Sequence, residues 1–124
     1  MSSQQKTILV ADDRGTSREL IRSVLEGSGY KVIEAADGLE TLQKADEFLP
    51  DLLILDLQMP NLDGFGVVAH LRQDRRFATR PILALTASAM RGDRERAIAA
   101  GFSAYIAKPI RIVELRQEVA RLLG

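Results

Sequence analysis

Four short apolar runs, each ending on a polar side chain capable of chemistry, constrain this chain more than any other feature. Thr7-Ile8-Leu9-Val10-Ala11 leads into Asp12-Asp13, and Asp51-Leu52-Leu53-Ile54-Leu55 leads into Asp56. Pro81-Ile82-Leu83-Ala84-Leu85 ends on Thr86, and Ala104-Tyr105-Ile106-Ala107 on Lys108-Pro109. Runs this short and uninterrupted predict strands buried on both faces of a parallel sheet. In an open parallel sheet, ligands bind outside the carboxyl ends of the strands. The pattern therefore sets three carboxylates, a hydroxyl and an ammonium at one end of one sheet.

Helical patterns alternate with these runs. Leu20, Ile21, Val24 and Leu25 are spaced for one face of a helix over 16–26, which Gly27-Ser28-Gly29 ends. Val32 and Ile33 centre a further strand over 30–36; Asp37-Gly38 reads as a turn, and a helix over 39–48 stops before Pro50. A loop dense in turn formers over 58–64 precedes a helix over 65–73, and 74–80 is a charged connection. A helix over 90–100 ended by Gly101, a strand over 103–107 and a helix over 112–123 follow. Gly92, near the start of the fourth helix, is expected to weaken its first turn.

Five βα units in succession predict an α/β protein of three layers, a doubly wound (βα)5 with a parallel five-stranded sheet between helices. Right-handed crossovers leave few topologies, and for five strands the flavodoxin-like order 2-1-3-4-5 is the expectation. The first and third strands are then neighbours, so Asp12, Asp13 and Asp56 converge, while the flanking fourth and fifth bring Thr86 and Lys108 to the rim. Residues 1–5 are expected to form a flexible terminus and 6–124 a single domain with no output domain.

Composition removes several classes of function. With 17 basic and 17 acidic residues the chain has no net charge, hence no general basic field to hold nucleic acid directly. It has no cysteine, so neither disulfides nor thiolate metal sites are available. No apolar stretch approaches the roughly 20 residues that span a bilayer. The polar start Met1-Ser2-Ser3-Gln4-Gln5 lacks the apolar core of a signal peptide. No membrane insertion and a cytoplasmic location are the expectation.

Three carboxylates within a few ångströms repel one another, so the site calls for a cation or a proton. An all-oxygen donor set favours a hard cation, Mg²⁺ or Mn²⁺, with Asp13 and Asp56 as direct ligands and Asp12 reaching it through water. A carboxylate beside such an ion can attack phosphorus and form an acyl phosphate. Lys108, the Thr86 hydroxyl and the N–H of Ala87 are placed to stabilise charge on the phosphoryl oxygens.

These pieces, in order and at strand ends, resemble the receiver domain of two-component response regulators over nearly the whole chain. The matching segments are Asp12-Asp13, Asp56-Leu57-Gln58-Met59-Pro60-Asn61-Leu62-Asp63-Gly64, Thr86-Ala87 and Lys108-Pro109. The resemblance implies that Asp56 accepts a phosphoryl group from a phosphohistidine on a histidine kinase or histidine phosphotransfer protein. It implies Mg²⁺ on Asp13, Asp56 and the backbone carbonyl of Gln58, and a cis Lys108–Pro109 peptide that aims the lysine at the phosphate. It further implies a switch in which Thr86 moves inward and Tyr105 turns in from solvent. The face of the fourth helix, fifth strand and fifth helix is then reshaped for a downstream protein target. Met90, Arg91, Arg94, Tyr105 and Ile110 are reporters on that face. A receiver of this kind is a phosphoacceptor switch that catalyses its own phosphorylation and dephosphorylation, not an enzyme with a separate substrate. Arg14, Gln58 and Ser88 occupy positions that bear on access or phosphoryl lifetime.

Each residue also has a plainer role available. Asp12 and Asp13 can cap the first helix, Asp56 can be a loop acid, Thr86 a helix cap and Lys108 a solvated charge. Tyr105 can simply be packed with its hydroxyl at the surface. His70 reads as a partly exposed helix residue, and 91–96, with Asp93 and Glu95 among arginines, as a solvated face. Two organisations fit a receiver: a stand-alone protein, or a segment of a hybrid histidine kinase or larger regulator. Two other classes compete. A haloacid-dehalogenase-type phosphatase typically has a second Asp two residues after the nucleophile, where this chain has Gln58. A nucleotide or flavin binder needs a glycine-rich phosphate loop after the first strand, where this chain has Asp12-Asp13.

Overall fold

A computed structural model describes residues 5–87 and 92–124 of the chain. Strands β1 (Thr7–Ala11), β2 (Lys31–Ala35), β3 (Leu52–Asp56), β4 (Ile82–Thr86) and β5 (Ala104–Ala107) form one parallel sheet in the order β2-β1-β3-β4-β5. Helices α1 (Gly15–Gly27), α2 (Gly38–Phe48), α3 (Gly64–Gln73), α4 (Asp93–Ala100) and α5 (Ile112–Leu123) alternate with the strands. This is the flavodoxin-like order expected from the sequence.

The sheet separates two cores, because side chains alternate along each strand. Ile8, Val10, Leu52, Ile54, Leu83, Leu85 and Ile106 pack against Ile21 and Leu25 of α1 and Leu115 and Val119 of α5. The intervening Leu9, Leu53, Leu55, Ile82 and Ala84 pack against Ala45 of α2, Val67, Val68 and Leu71 of α3 and Ala97 of α4. β3 and β4 are buried throughout and β1 from Ile8 onward, which is why they read as unbroken apolar runs.

Local chemistry sets the helix starts that frame the carboxyl edge. Asp37 caps α2, its carboxylate accepting from Glu40 N at 2.8 Å, and Glu40 reaches back to Ala36 N at 2.6 Å. Asp63 caps α3 through Gly66 N at 2.9 Å. The two loops are tied together where Asn61 Nδ2 donates to Asp37 Oδ2 at 2.9 Å. A Cβ at Gly64 would lie 2.7 Å from the Asp56 carbonyl oxygen, so the loop after β3 folds back on the strand only with glycine there.

Several expectations need correction. The charged connection over 74–80 contains a 3-10 turn, Arg75–Phe77, and Phe77 is buried with the guanidinium groups of Arg76 and Arg80 over its ring, their centres 5.8 and 5.5 Å from the ring centroid. Asp93 is not on a solvated face but is buried at the first turn of α4, paired with Arg96. Gly92 does not weaken a helical turn, because it is the cap of α4, in the left-handed region at φ 87°. Gly101 ends α4 at φ 119° as expected. His70 is exposed on α3. Of the expected flexible terminus, only Gln5 is among the described residues, and its amide donates to the Gly29 carbonyl at 3.1 Å. Ser88, Met90, Arg91 and the expected helix start at 90 lie outside the described residues.

Candidate functional site

Pairing of β1 with β3, with Ala11 opposite Leu55, places Asp12 and Asp56 side by side where the two strands end. The carboxylates of Asp12, Asp13 and Asp56 each offer an oxygen within 4.8 Å of the others. Asp12 is fully buried, Asp56 is 5% exposed, and Asp13 faces solvent. Asp12 does not cap α1. Its Oδ1 accepts from Arg14 N at 2.9 Å, and Arg14, the residue at the cap position, makes no side-chain cap bond.

Lys108 enters from the end of β5. Its backbone N–H donates to the Thr86 carbonyl at 2.7 Å, and the Lys108–Pro109 peptide is cis, as expected. Its ammonium lies 2.8 Å from Asp12 Oδ2 and 2.8 Å from Asp56 Oδ2, with the side chain only 16% exposed. Lys108 is thus a partly buried ion-pair partner and not a solvated charge. One ammonium against three carboxylates leaves two negative charges, the complement of a divalent cation. The donor set is all oxygen and open on the Asp13 side, so it fits a hard metal ion.

Burial pushes the Asp56 carboxyl above the usual range for an aspartate, and the nearby Asp12 charge adds to this. Hydrogen bonds from Lys108 and from Gln58 N, 2.9 Å from Asp56 Oδ1, oppose the rise. For Lys108, burial opposes the charge, but its bonds to Asp12 and Asp56 outweigh it and raise the ammonium's pKa.

Thr86 is the last residue of β4 and is buried. Tyr105 lies opposite Ala84 in the β4–β5 register, and Thr86 opposite Ala107. Tyr105 therefore shares the sheet face of Thr86 on the adjacent strand, two residues short of the edge. Its ring is half-buried against the core under α2, α3 and α4. Burial raises its hydroxyl pKa, as does the charge of Asp93. Gln58 is exposed on the loop after β3, beside the site through its N–H. Gln58, Thr86, Asp93 and Arg96 line one cleft together with Leu57 and Phe65. Arg14 is exposed.

Arg18 was not singled out by sequence reasoning. Its Nη1 donates to the Asp12 carbonyl at 2.7 Å, and its Nε to Glu34 at 3.2 Å. Nothing in the local pattern distinguishes it from Arg22, the other arginine of α1.

The fold and the acidic edge together define a class, the phosphorelay receivers. A family model for the response regulator receiver domain matches residues 8–120. The polar-differentiation response regulator DivK of Brucella ovis is 37% identical over 119 residues, covering 96% of this chain and 97% of DivK. Chemotaxis protein CheY4 of Vibrio cholerae superposes with a TM-score of 0.91 at 31% identity, covering 97% of this chain and all of CheY4. The receiver domain of the sensor histidine kinase PA1611 of Pseudomonas aeruginosa, which holds a magnesium ion in its active-site cleft, superposes with a TM-score of 0.89 at 33% identity, over 98% of this chain and 99% of that one. This chain belongs to the response regulator receiver domain family, whose members are signalling switches, not classical enzymes.

Proposed function

We propose that Asp56 is the phosphoacceptor of this receiver, phosphorylated by the phosphohistidine of a histidine kinase or histidine phosphotransfer protein. The observation that carries this reading is the convergence of Asp12, Asp13 and Asp56 on Lys108 at one sheet edge. An Asp56 carboxylate oxygen attacks phosphorus. The new P–O bond forms as the P–N bond breaks, and the released electron pair stays on the donor imidazole nitrogen, which takes a proton from solvent. Asp13, Asp56 and the Gln58 carbonyl would hold Mg²⁺ (or Mn²⁺), with Asp12 reaching it through water, and the bound ion would supply positive charge to the phosphoryl oxygens. The magnesium in the PA1611 receiver supports this assignment. Lys108 follows the new negative charge from its place between Asp12 and Asp56, and the Thr86 hydroxyl and Ala87 N–H bind the remaining oxygens. Later attack of water on phosphorus restores the Asp56 carboxylate and releases inorganic phosphate.

Phosphorylation draws Thr86 toward the phosphoryl group, and Tyr105 on the same sheet face turns into the space it leaves. The two-state element is the face of α4, β5 and α5, and its shift alters the affinity for a downstream protein. Arg94 and Ile110 border that face. Residues 6–124 act as one receiver domain, without direct nucleic-acid contacts, in the cytoplasm. Among the described residues no helix is long and apolar enough to cross a membrane. The PA1611 likeness favours a second organisation, in which the chain is the receiver segment of a hybrid histidine kinase.

The test is intact mass after incubation with acetyl phosphate and Mg²⁺, beside an EDTA control and Asp56→Asn. One Mg²⁺-dependent phosphoryl adduct, absent in the variant, is expected. Absence of both an adduct and beryllofluoride binding in the wild type overturns the reading.

A further inference from the structure

Three carboxylates with oxygens within 4.8 Å of one another share one ammonium, which reaches Asp12 and Asp56, so their repulsion also loads the backbone that carries them. For Asp56 that backbone is the end of a central strand. Asp12 and Asp13 instead hang from the short turn between β1 and α1, and Arg14 at the cap position of α1 makes no side-chain cap bond. Two bonds fix the inner part of this turn: Asp12 N to the Ala35 carbonyl at 3.1 Å, and Arg14 N to Asp12 Oδ1 at 2.9 Å. A third comes from a side chain. Arg18 Nη1 donates to the Asp12 carbonyl at 2.7 Å, at the peptide that leads into Asp13.

Arg18 is itself held. Its Nε lies 3.2 Å from Glu34 Oε1, and the other Glu34 oxygen accepts from Arg22 Nη1 at 2.6 Å. Glu34 stands on β2 opposite Val10 of β1. The side chains of Arg18 and Glu34 are 21% and 28% exposed, so the bonds are partly shielded from water. A planar guanidinium can grip a carbonyl with one arm and a carboxylate with another; an ammonium has no such fixed fork.

We propose that Arg18 is a positioning residue for the metal site: clamped by Glu34, it holds the Asp12 carbonyl so that Asp12 and Asp13 meet Asp56 in binding geometry before the ion arrives. This rests on the assignment of the three aspartates as a Mg²⁺ site. Groups that orient metal ligands without touching the ion typically cost 10–100-fold in metal affinity when removed.

The experiment is calorimetric titration of the full chain with Mg²⁺, well below each variant's melting temperature, with amide ¹⁵N shifts of Asp13 and Arg14 recorded in parallel. Arg18→Met is expected to weaken Mg²⁺ binding about tenfold and to move both amides. Glu34→Gln should weaken it less, and Arg18→Lys should recover part of the loss. Arg22→Met, which removes a bond to the other Glu34 oxygen and none to Arg18 or Asp12, should bind as the wild type does. A merely structural role would lower melting temperatures and leave affinity below the transition unchanged, and that result overturns the inference. If Arg18→Met does not fold, Arg18→Lys and Glu34→Gln decide by the same criterion. A wild type that binds no Mg²⁺ overturns the metal assignment itself and the inference with it. Normal wild-type binding with unchanged variants overturns the inference alone.

Discussion

Lys108 Nζ lies 2.8 Å from Asp56 Oδ2, across 52 residues of chain, and gives the buried aspartate its one close positive charge among the described residues. The pair makes the acidic edge tolerable in the absence of a metal. It also puts a movable ammonium next to the atom that we assign as nucleophile.

The charge on Asp56 works against stability. Its folded pKa is raised by burial above the unfolded value, so the native state holds that proton more tightly. The resulting contribution is present below the unfolded pKa and lost as pH rises through the folded one. At neutral pH in EDTA, Asp56→Asn should therefore melt a few degrees higher than the wild type. The gap should narrow as pH falls through the Asp56 pKa, because the wild-type carboxyl then becomes neutral too. Thermal melts of both proteins from pH 8 to pH 4 check this, and an equal gap at every pH contradicts it.

Removing the ammonium should have the opposite effect. Lys108→Met leaves Asp12 and Asp56 buried without their counter-charge, which costs on the order of 3 kcal/mol. On the proposed metal assignment, a divalent ion binds the folded site and not the unfolded chain, so saturating Mg²⁺ should restore part of the loss. Urea denaturation in EDTA and in Mg²⁺ measures both. The variant should gain more from Mg²⁺ than the wild type does.

The loop carrying Gln58 to Asp63 rests on α2 at Gly38, where an added Cβ would lie 1.9 Å from the Leu62 carbonyl oxygen. Gly38→Ala is expected to destabilise by about 1–3 kcal/mol through overpacking. Gly27→Ala, whose Cβ would meet no atom within 4 Å, should be neutral or stabilise by about 0.5 kcal/mol. Equilibrium unfolding of the pair tests whether the close approach is real.

Tyr105 reports on Thr86 if the two move together. Thr86→Ala should still accept phosphate on Asp56, while the beryllofluoride-induced change in Tyr105 ring resonances seen in the wild type should shrink or vanish. Proton NMR of both proteins with and without beryllofluoride provides the comparison. An undiminished change in the variant would show that Tyr105 moves independently.

The chemistry-bearing strand ends were legible because a buried central strand must be apolar on both faces, so its first polar residue marks the sheet edge. Asp12, Asp56 and Thr86 are such residues; Lys108 instead ends β5, an edge strand whose Tyr105 and Ala107 are only half-buried. An acid among arginines reads as solvated, and only the packing of α4 buries Asp93. Phe77 was hidden the same way, inside a charged segment whose arginines cover the ring.

By itself, the sequence determined the strands, their alternation with helices, and the polar residues at the sheet edge, because burial and period are properties of neighbouring residues. Tertiary structure alone decided that one lysine bridges Asp12 and Asp56, that Tyr105 shares the face of Thr86, and that Arg18 grips the Asp12 carbonyl. Those relations span up to 96 residues of chain and depend on side-chain distances of a few ångströms. No local pattern encodes such distances, since they arise only when separate strands and helices pack against one another.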